Sequence, residues 1–470
     1  MVTLGIDSGT QGTKVILFDL KRSKIIGRGS APHRLLPKRD PTAKEQDPAD
    51  WIRALRISVQ GALASSPAGT HCRVAGIAVS GQQHGLVALD RENRVLRPAK
   101  LWCDTSTAAE AEWLVRKNGG LRQLIRKTGN GLPAGFTASK ILWLKQNEPR
   151  QYARLAQILL PHDYLNFWLT GNKTMESGDA SGTGFFDIRR RTWSLPVLRS
   201  IDSRLTRLLP PILDPQETAG FLSANSARAL GLPTGIPVAP GGGDNMMGAI
   251  GTGNVVNGVV TLSLGTSGTI YAYSDHPMID PLGEVAAFCD STGGWLPLVC
   301  TMNVTIATEA MGRALGLTHA QWTRLAEKVS GGSDGLKFIP YLQGERTPNL
   351  PLATASYQGL NLSNFTSGHL ARATLEGISE GLNYGLERLR CLGIRPQEIR
   401  LTGGGSQNPL WRRILAQTLG VPVIKVATEE GTALGAALQA GWILMGGGRK
   451  SLRELTTRHV RLDSSTLCRP

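Results

Sequence analysis

The sequence predicts an α/β protein built from two domains, and three observations predict it. The chain has 470 residues, more than the roughly 250–300 that a single hydrophobic core serves. Short apolar, β-rich runs alternate with runs of helical period along its length. One motif also occurs twice: Gly9-Thr10-x-Gly12-Thr13 returns as Gly265-Thr266-x-Gly268-Thr269, each time between two apolar segments. Gly265 stands 256 positions after Gly9, far beyond any solenoid period. Two homologous domains, each opening on the same strand–turn–strand device, explain the repeat. The Gly/Pro-rich stretch Leu232-Pro233-Thr234-Gly235 marks the division, giving domains 1–235 and 236–470.

The elements follow in order. Val2 to Ile6 reads as a strand, Asp7 to Thr13 as a Gly-rich turn, and Lys14 to Leu20 as a second strand, with Ile25 to Gly29 a third. Asp50 before the apolar-periodic run Trp51–Leu63 reads as the N-cap of a helix. Val74 to Ser80 is a short buried strand that ends in Gly81-Gln82-Gln83-His84-Gly85. In the second half, Gly241-Gly242-Gly243-Asp244-Asn245 precedes an apolar helical run, and Val259 to Leu264 is a strand that leads into the repeated turn. Arg400-Leu401-Thr402-Gly403-Gly404-Gly405 is a strand and Gly turn before a helix from Leu410 to Leu419. Gly431 opens a further helix rich in small residues.

Composition narrows the function. Hydrophobic residues make up 41% and charged residues 19%, an ordinary globular balance. No apolar run is long enough to span a bilayer, and the N-terminus lacks the basic and apolar regions of a signal peptide. The six cysteines form no Cys-x-x-Cys pair, which favours reduced thiols in the cytoplasm over disulfides or zinc. The net charge is +16, but the basic residues are dispersed. The densest cluster is Arg189-Arg190-Arg191, so a solvated basic surface is expected rather than nucleic-acid binding.

The turns suggest phosphate chemistry. A Gly-Thr-x-Gly-Thr turn gathers backbone N–H groups and hydroxyls at one point, and its glycines allow an anion to approach. One copy could be a tight hairpin. Two copies, one per domain, suggest a phosphate clamp across a cleft, without any Walker-type Gly-x-x-x-x-Gly-Lys segment. Asp7, at the end of the first strand, would be repelled by a phosphate unless a cation lay between them, so it suggests Mg²⁺. A local Asx-turn contact is compatible with that role. Asp244 reads either as a helix N-cap or as a general base facing the cleft. Gln83 and His84, between glycines, carry the amide and imidazole that suit a polyol's hydroxyls.

These motifs, in this order, resemble the FGGY carbohydrate kinases, and within them the xylulose kinase branch, over nearly the whole chain. Gly135-x-Thr137-x-x-Lys140-Ile141-x-Trp143-Leu144-x-Gln146-Asn147 resembles the family's first signature. Leu101-Trp102-Cys103-Asp104, Leu160-Pro161-His162-Asp163-Tyr164-Leu165, Gly344-Glu345-Arg346-Thr347-Pro348 and Gly403-Gly404-Gly405 resemble further segments of that branch. The resemblance implies two actin-like (ribonuclease-H-like) domains closing on ATP and a sugar. It implies Asp244 as catalytic base, Asp7 as important for activity near Mg²⁺, and Gln83, His84, Asp104 and Asn245 as ketose contacts. Thr10, Gly12, Thr13, Gly265, Thr266 and Gly268 would hold phosphates, with Gly404, Gly405 and Asn408 near adenosine. The implied reaction is ATP-dependent phosphorylation of D-xylulose, with a homodimer as one candidate assembly. Gln83, where Met is frequent, and Ser106, where Arg is frequent, depart from the pattern on the sugar side. Rival readings are a kinase for another pentulose such as ribulose or for a polyol, a non-catalytic sugar or nucleotide sensor, and an actin-like ATPase. Intact Asp7 and Asp244 argue against the sensor. The first signature and the His84 loop argue against the ATPase.

Overall fold

The computed structural model describes all 470 residues. Its frame is two seven-stranded mixed sheets. The first contains β1 (Val2–Ser8), β2 (Gly12–Asp19), β3 (Lys24–Pro32), β4 (Val74–Gly81), β5 (Gly220–Phe221) and β6 (Pro237–Val238) in the order β5-β6-β4-β1-β2-β3. Gly242–Gly243 adds a short parallel pairing to Ser80 and Gly81 at the end of β4. The second contains β7 (Val259–Leu264), β8 (Gly268–Ala272), β9 (Ala286–Cys289), β10 (Trp295–Thr301), β11 (Glu398–Thr402), β12 (Val423–Val426) and β13 (Leu462–Cys468) in the order β9-β10-β8-β7-β11-β12-β13.

The sequence repeat is therefore a repeat of topology. β1 pairs antiparallel with β2 and parallel with β4, and β7 pairs antiparallel with β8 and parallel with β11. Each Gly-Thr turn joins the central antiparallel pair of its sheet. The first sheet also takes up Pro237–Val238 and Gly242–Gly243, so chain beyond residue 235 still belongs to its frame.

Helices cover the sheets. α1 (Pro48–Ala64) buries Trp51, Leu55 and Val59 in the core of the first sheet, which β1 and β4 share. Its cap is Asp47, whose carboxylate accepts from the Ala49 amide at 2.9 Å, and Asp50 lies in the first turn instead. Pro48 moves the start: with φ already set and no N–H to satisfy, it takes the first helical position. Four further helices matter for the site: α2 (Thr137–Asn147), α3 (Pro161–Thr170), α4 (Asp244–Thr252) and α5 (Gly431–Leu444). α5 crosses β1 at Gly5, where a Cβ would meet the Ala433 carbonyl at 2.0 Å. It also crosses α4 where two glycines face each other. A Cβ on Gly435 would stand 1.8 Å from the Met247 carbonyl, and one on Gly251 would stand 1.8 Å from that of Gly431. This contact fixes α4, and Asp244 with it, against the first sheet.

Candidate active site

Four segments converge beside β4: the ends of β1 and β4, the Gly241–Gly243 loop, and the N-terminus of α4. In the sheet, Ser80 pairs with Asp7 on one side and Gly242 on the other. The backbones of Asp7 and Gly242 thus lie two strand spacings apart, about 10 Å, with Ser80 of β4 between them. Asp244 is the first residue of α4, and Gly243 is its cap. The N-cap alternative for Asp244 is thereby set aside. Its carboxylate accepts from the Asn245 amide N–H at 2.8 Å and from Asn245 Nδ2 at 2.9 Å. Asn245 Nδ2 also donates to Gln83 Oε1 at 2.9 Å. The structure so brings Gln83, far away in sequence, into one hydrogen-bonded array with the neighbours Asp244 and Asn245. Gln83 Nε2, buried, has no protein partner and is free to donate to a ligand hydroxyl.

The electrostatics suit a base. Burial raises the Asp244 carboxyl to about 7, reinforced by the negative charge of Asp7 and opposed by the Asn245 amide. Burial likewise raises Asp7 to about 6, with Lys14 and the Ser80 hydroxyl opposing. A base must be ionised to accept a proton, so kcat/KM is expected to fall as pH drops through about 7. Asp7→Asn removes the neighbouring charge and should move that acid limb to lower pH, which a pH series on both proteins checks.

His84 has φ +62°. Its ring lies 4.7 Å from that of Phe136 and 5.7 Å from that of Phe288, so residues of both sequence halves enclose it. Gly182 completes the slot, since a Cβ there would stand 1.9 Å from His84 Nδ1. Burial, together with the positive charges of Lys140 and Arg346, holds the imidazole well below its usual 6.5. The neutral ring supplies one donor and one acceptor.

The first Gly-Thr turn is tied to this sugar-side loop. Gln46 Nε2 donates to the Thr10 carbonyl at 2.6 Å, and Gln82 Nε2 donates to Gln46 Oε1 at 2.8 Å. Gly12 lies at the start of β2, and the Gly9 amide donates to its carbonyl at 3.1 Å. Thr10 Oγ1 accepts from Trp102 Nε1 at 2.9 Å. Thr13 is wholly buried and its hydroxyl bonds with Ser8 Oγ at 3.2 Å, so its side chain braces the turn from behind. In the second turn Thr266 is exposed, while Gly265 and Gly268 shape the bend between β7 and β8. Gly404 and Gly405 follow β11 beside this turn, with Gly405 packed on Leu264 and Trp411.

Two more expected ligand groups, like Thr13, have structural work instead. Asn408 caps the helix Pro409–Leu419 through its Oδ1 and donates to Thr323 Oγ1 at 3.0 Å. Asp104 is fully buried and accepts from the Lys44 amide at 2.8 Å and Lys100 Nζ at 3.2 Å on one oxygen, and from the Ser106 amide at 3.0 Å and Ser106 Oγ at 2.6 Å on the other. Its lone pairs are consumed by the protein, so a direct sugar contact does not fit. Phe288, Phe136 and Lys140 were missed as site residues. Lys140 and Phe136 lie in or beside the first signature, whereas nothing in the sequence around Phe288 points to the cleft.

Comparison with known proteins gives the family. The model for the N-terminal domain of the FGGY family of carbohydrate kinases matches residues 2–251, and that for the C-terminal domain matches residues 260–444. The chain belongs to the FGGY family of carbohydrate kinases. As an FGGY kinase it is 42% identical to the xylulose kinase of Haemophilus influenzae over 472 residues, covering 99% of this chain and 95% of that one. It is 34% identical to the xylulose kinase of Escherichia coli, covering 96% and 92%. The solved xylulose kinase of Bifidobacterium adolescentis superposes with a TM-score of 0.86 at 32% identity, covering 100% and 96%. That of Rhodospirillum rubrum gives 0.90 at 29% identity, covering 100% and 94%. The two-domain actin-like architecture follows from these matches, as does ATP as co-substrate of a sugar kinase. No helix is long and apolar enough to cross a membrane.

Proposed function

We propose that this FGGY kinase transfers the terminal phosphoryl group of ATP to the terminal hydroxyl of D-xylulose, giving D-xylulose 5-phosphate, with Asp244 as general base. The observation that carries the reading is the Gln83–Asn245–Asp244 array beside His84. The matched xylulose kinases supply the choice of ketose.

Phosphoryl transfer asks the protein mainly for position and for charge stabilisation. The Gln83 amide and the neutral His84 ring hold the ketose hydroxyls. Asp244, its carboxylate oriented by Asn245, accepts the proton of the attacking hydroxyl. The backbone N–H groups of the Thr10 and Thr266 turns receive the phosphate oxygens from either side. Mg²⁺ fits at Asp7, whose carboxylate has as its only protein hydrogen bond a 3.5 Å contact from Ser80 Oγ, leaving carboxylate oxygen for the ion or its waters. When bound there, it would neutralise phosphate charge. Raised carboxyls at both positions also fit a site that waits for a cation and a proton donor. A cytoplasmic location, where ATP is abundant, goes with this reading.

The test is ADP release by the purified protein with Mg-ATP against D-xylulose, D-ribulose, L-ribulose, L-xylulose, glycerol and no sugar. Strong stimulation by D-xylulose is expected. Stimulation by another sugar alone refutes the substrate and directs attention to Gln83. ADP release indifferent to sugar refutes the kinase reading.

A further inference from the structure

The mechanism above leaves Lys140 unused, although its surroundings are unusual. It lies on α2 and is completely buried. Its ammonium donates to the carbonyl of His84 at 3.0 Å and to that of Gly135. Asp104 influences it through charge but bonds to Lys100, so Lys140 makes no ion pair of its own. Burial lowers its ammonium to about 7. A buried cation without a counterion is costly, by several kcal/mol in general, and this one directs its donors at backbone carbonyls.

One of those carbonyls belongs to a strained residue. A non-glycine residue in the left-handed region costs about 1–3 kcal/mol and persists only where neighbours enforce it. Thr137 Oγ1 donates to the same His84 carbonyl at 3.1 Å. The carbonyl thus receives two donors from the first turn of α2. With it fixed, the His84 ring enters the slot between Phe136, Phe288 and Gly182, and Gln83 meets Asn245.

We propose that Lys140 is a positioning residue of the sugar site: by holding the His84 carbonyl it sets the geometry of His84 and Gln83, and thereby the affinity for ketose but not for ATP. The inference rests on the proposed function for the identity of the sugar. Loss of a charge-assisted hydrogen bond of this kind should weaken ketose binding about tenfold or more.

The test compares wild type, Lys140→Met and Thr137→Val as full-length proteins at neutral pH. Lys140→Met is expected to raise KM for D-xylulose about tenfold or more while leaving KM for Mg-ATP within about twofold. Thr137→Val should shift the same constant in the same direction by less. A fall in kcat with the sugar KM unchanged, or equal rises in both KM values, overturns the proposal. Should Lys140→Met fail to melt cooperatively, Thr137→Val decides: an unchanged sugar KM overturns the proposal. A crystal structure of either variant separates this inference from the choice of sugar. His84 should leave the left-handed region, and an unmoved His84 overturns the role of Lys140. A wild type inactive on every sugar counts against the proposed function instead, and the variant structure still decides the present inference.

Discussion

Replacing Asp244 with Asn is expected to lower sugar-dependent ADP release by about 10²–10⁴-fold, with nucleotide binding retained. The side chain keeps its size and its place at the start of α4. Its amide cannot accept the proton of the attacking hydroxyl. Retention of more than a few per cent of turnover would remove Asp244 from the role of base. The same substitution carries a second, independent expectation. An ordinary carboxyl of 3.8 raised to about 7 means that the folded protein resists ionising it. The folded state loses stability as pH rises through that window, and above about 7 the penalty is complete. Asn carries no charge at any pH. The ligand-free variant should therefore melt higher than wild type at about pH 8 and alike near pH 4. A lower melting temperature at the alkaline end would contradict the environment described for Asp244.

The second large effect lies away from the chemistry. Gly435→Ala places a methyl where the Met247 carbonyl stands 1.8 Å away, and backbone on both sides leaves no flexible side chain to yield. Overpacking of this kind costs about 1–3 kcal/mol and occasionally more. α4 must move off α5, and Asp244 moves with it. A shift of about 1 Å at a catalytic group costs on the order of 10²-fold in rate. Gly435→Ala is thus expected to lower both the melting temperature and kcat. Gly431→Ala, on the same helix but with nothing within 4 Å of its Cβ, is the control and should leave both nearly unchanged. Equal behaviour of the two variants would show that the glycine crossing does not position α4.

The sequence carried the frame further than it carried the side chains. The Gly-Thr repeat at Gly9 and Gly265 announced two sheets of like topology, because a turn between two apolar strands is a local feature. The Asp7, Gln83, His84 and Asp244 segments were each legible as strand ends or Gly loops, and folding brings those very ends together. Side-chain direction was not legible. Thr13 looked like a phosphate hydroxyl, yet its place on β2 turns it inward to Ser8. Asn408 looked like a nucleotide contact, yet its position before Pro409 makes it a helix cap. Asp104 looked like a sugar ligand, but Lys44 and Lys100 occupy its Oδ2 and Ser106 its Oδ1, and the approach of Lys44 to Lys100 depends on the contact of Glu45–Gln46 with Ala99–Lys100. Phe288 reaches His84 only because β9 lies against the first half of the chain, a long-range fact without a local signature.

The most direct measurement follows the product rather than the nucleotide. Wild-type protein, Mg-ATP and D-xylulose are incubated, and phosphorus and proton NMR locate the new ester. A phosphate on the terminal C5 oxygen, formed in step with ADP and absent with Asp244→Asn, is the predicted result. Inorganic phosphate without a sugar ester, or an ester on another oxygen, would contradict it.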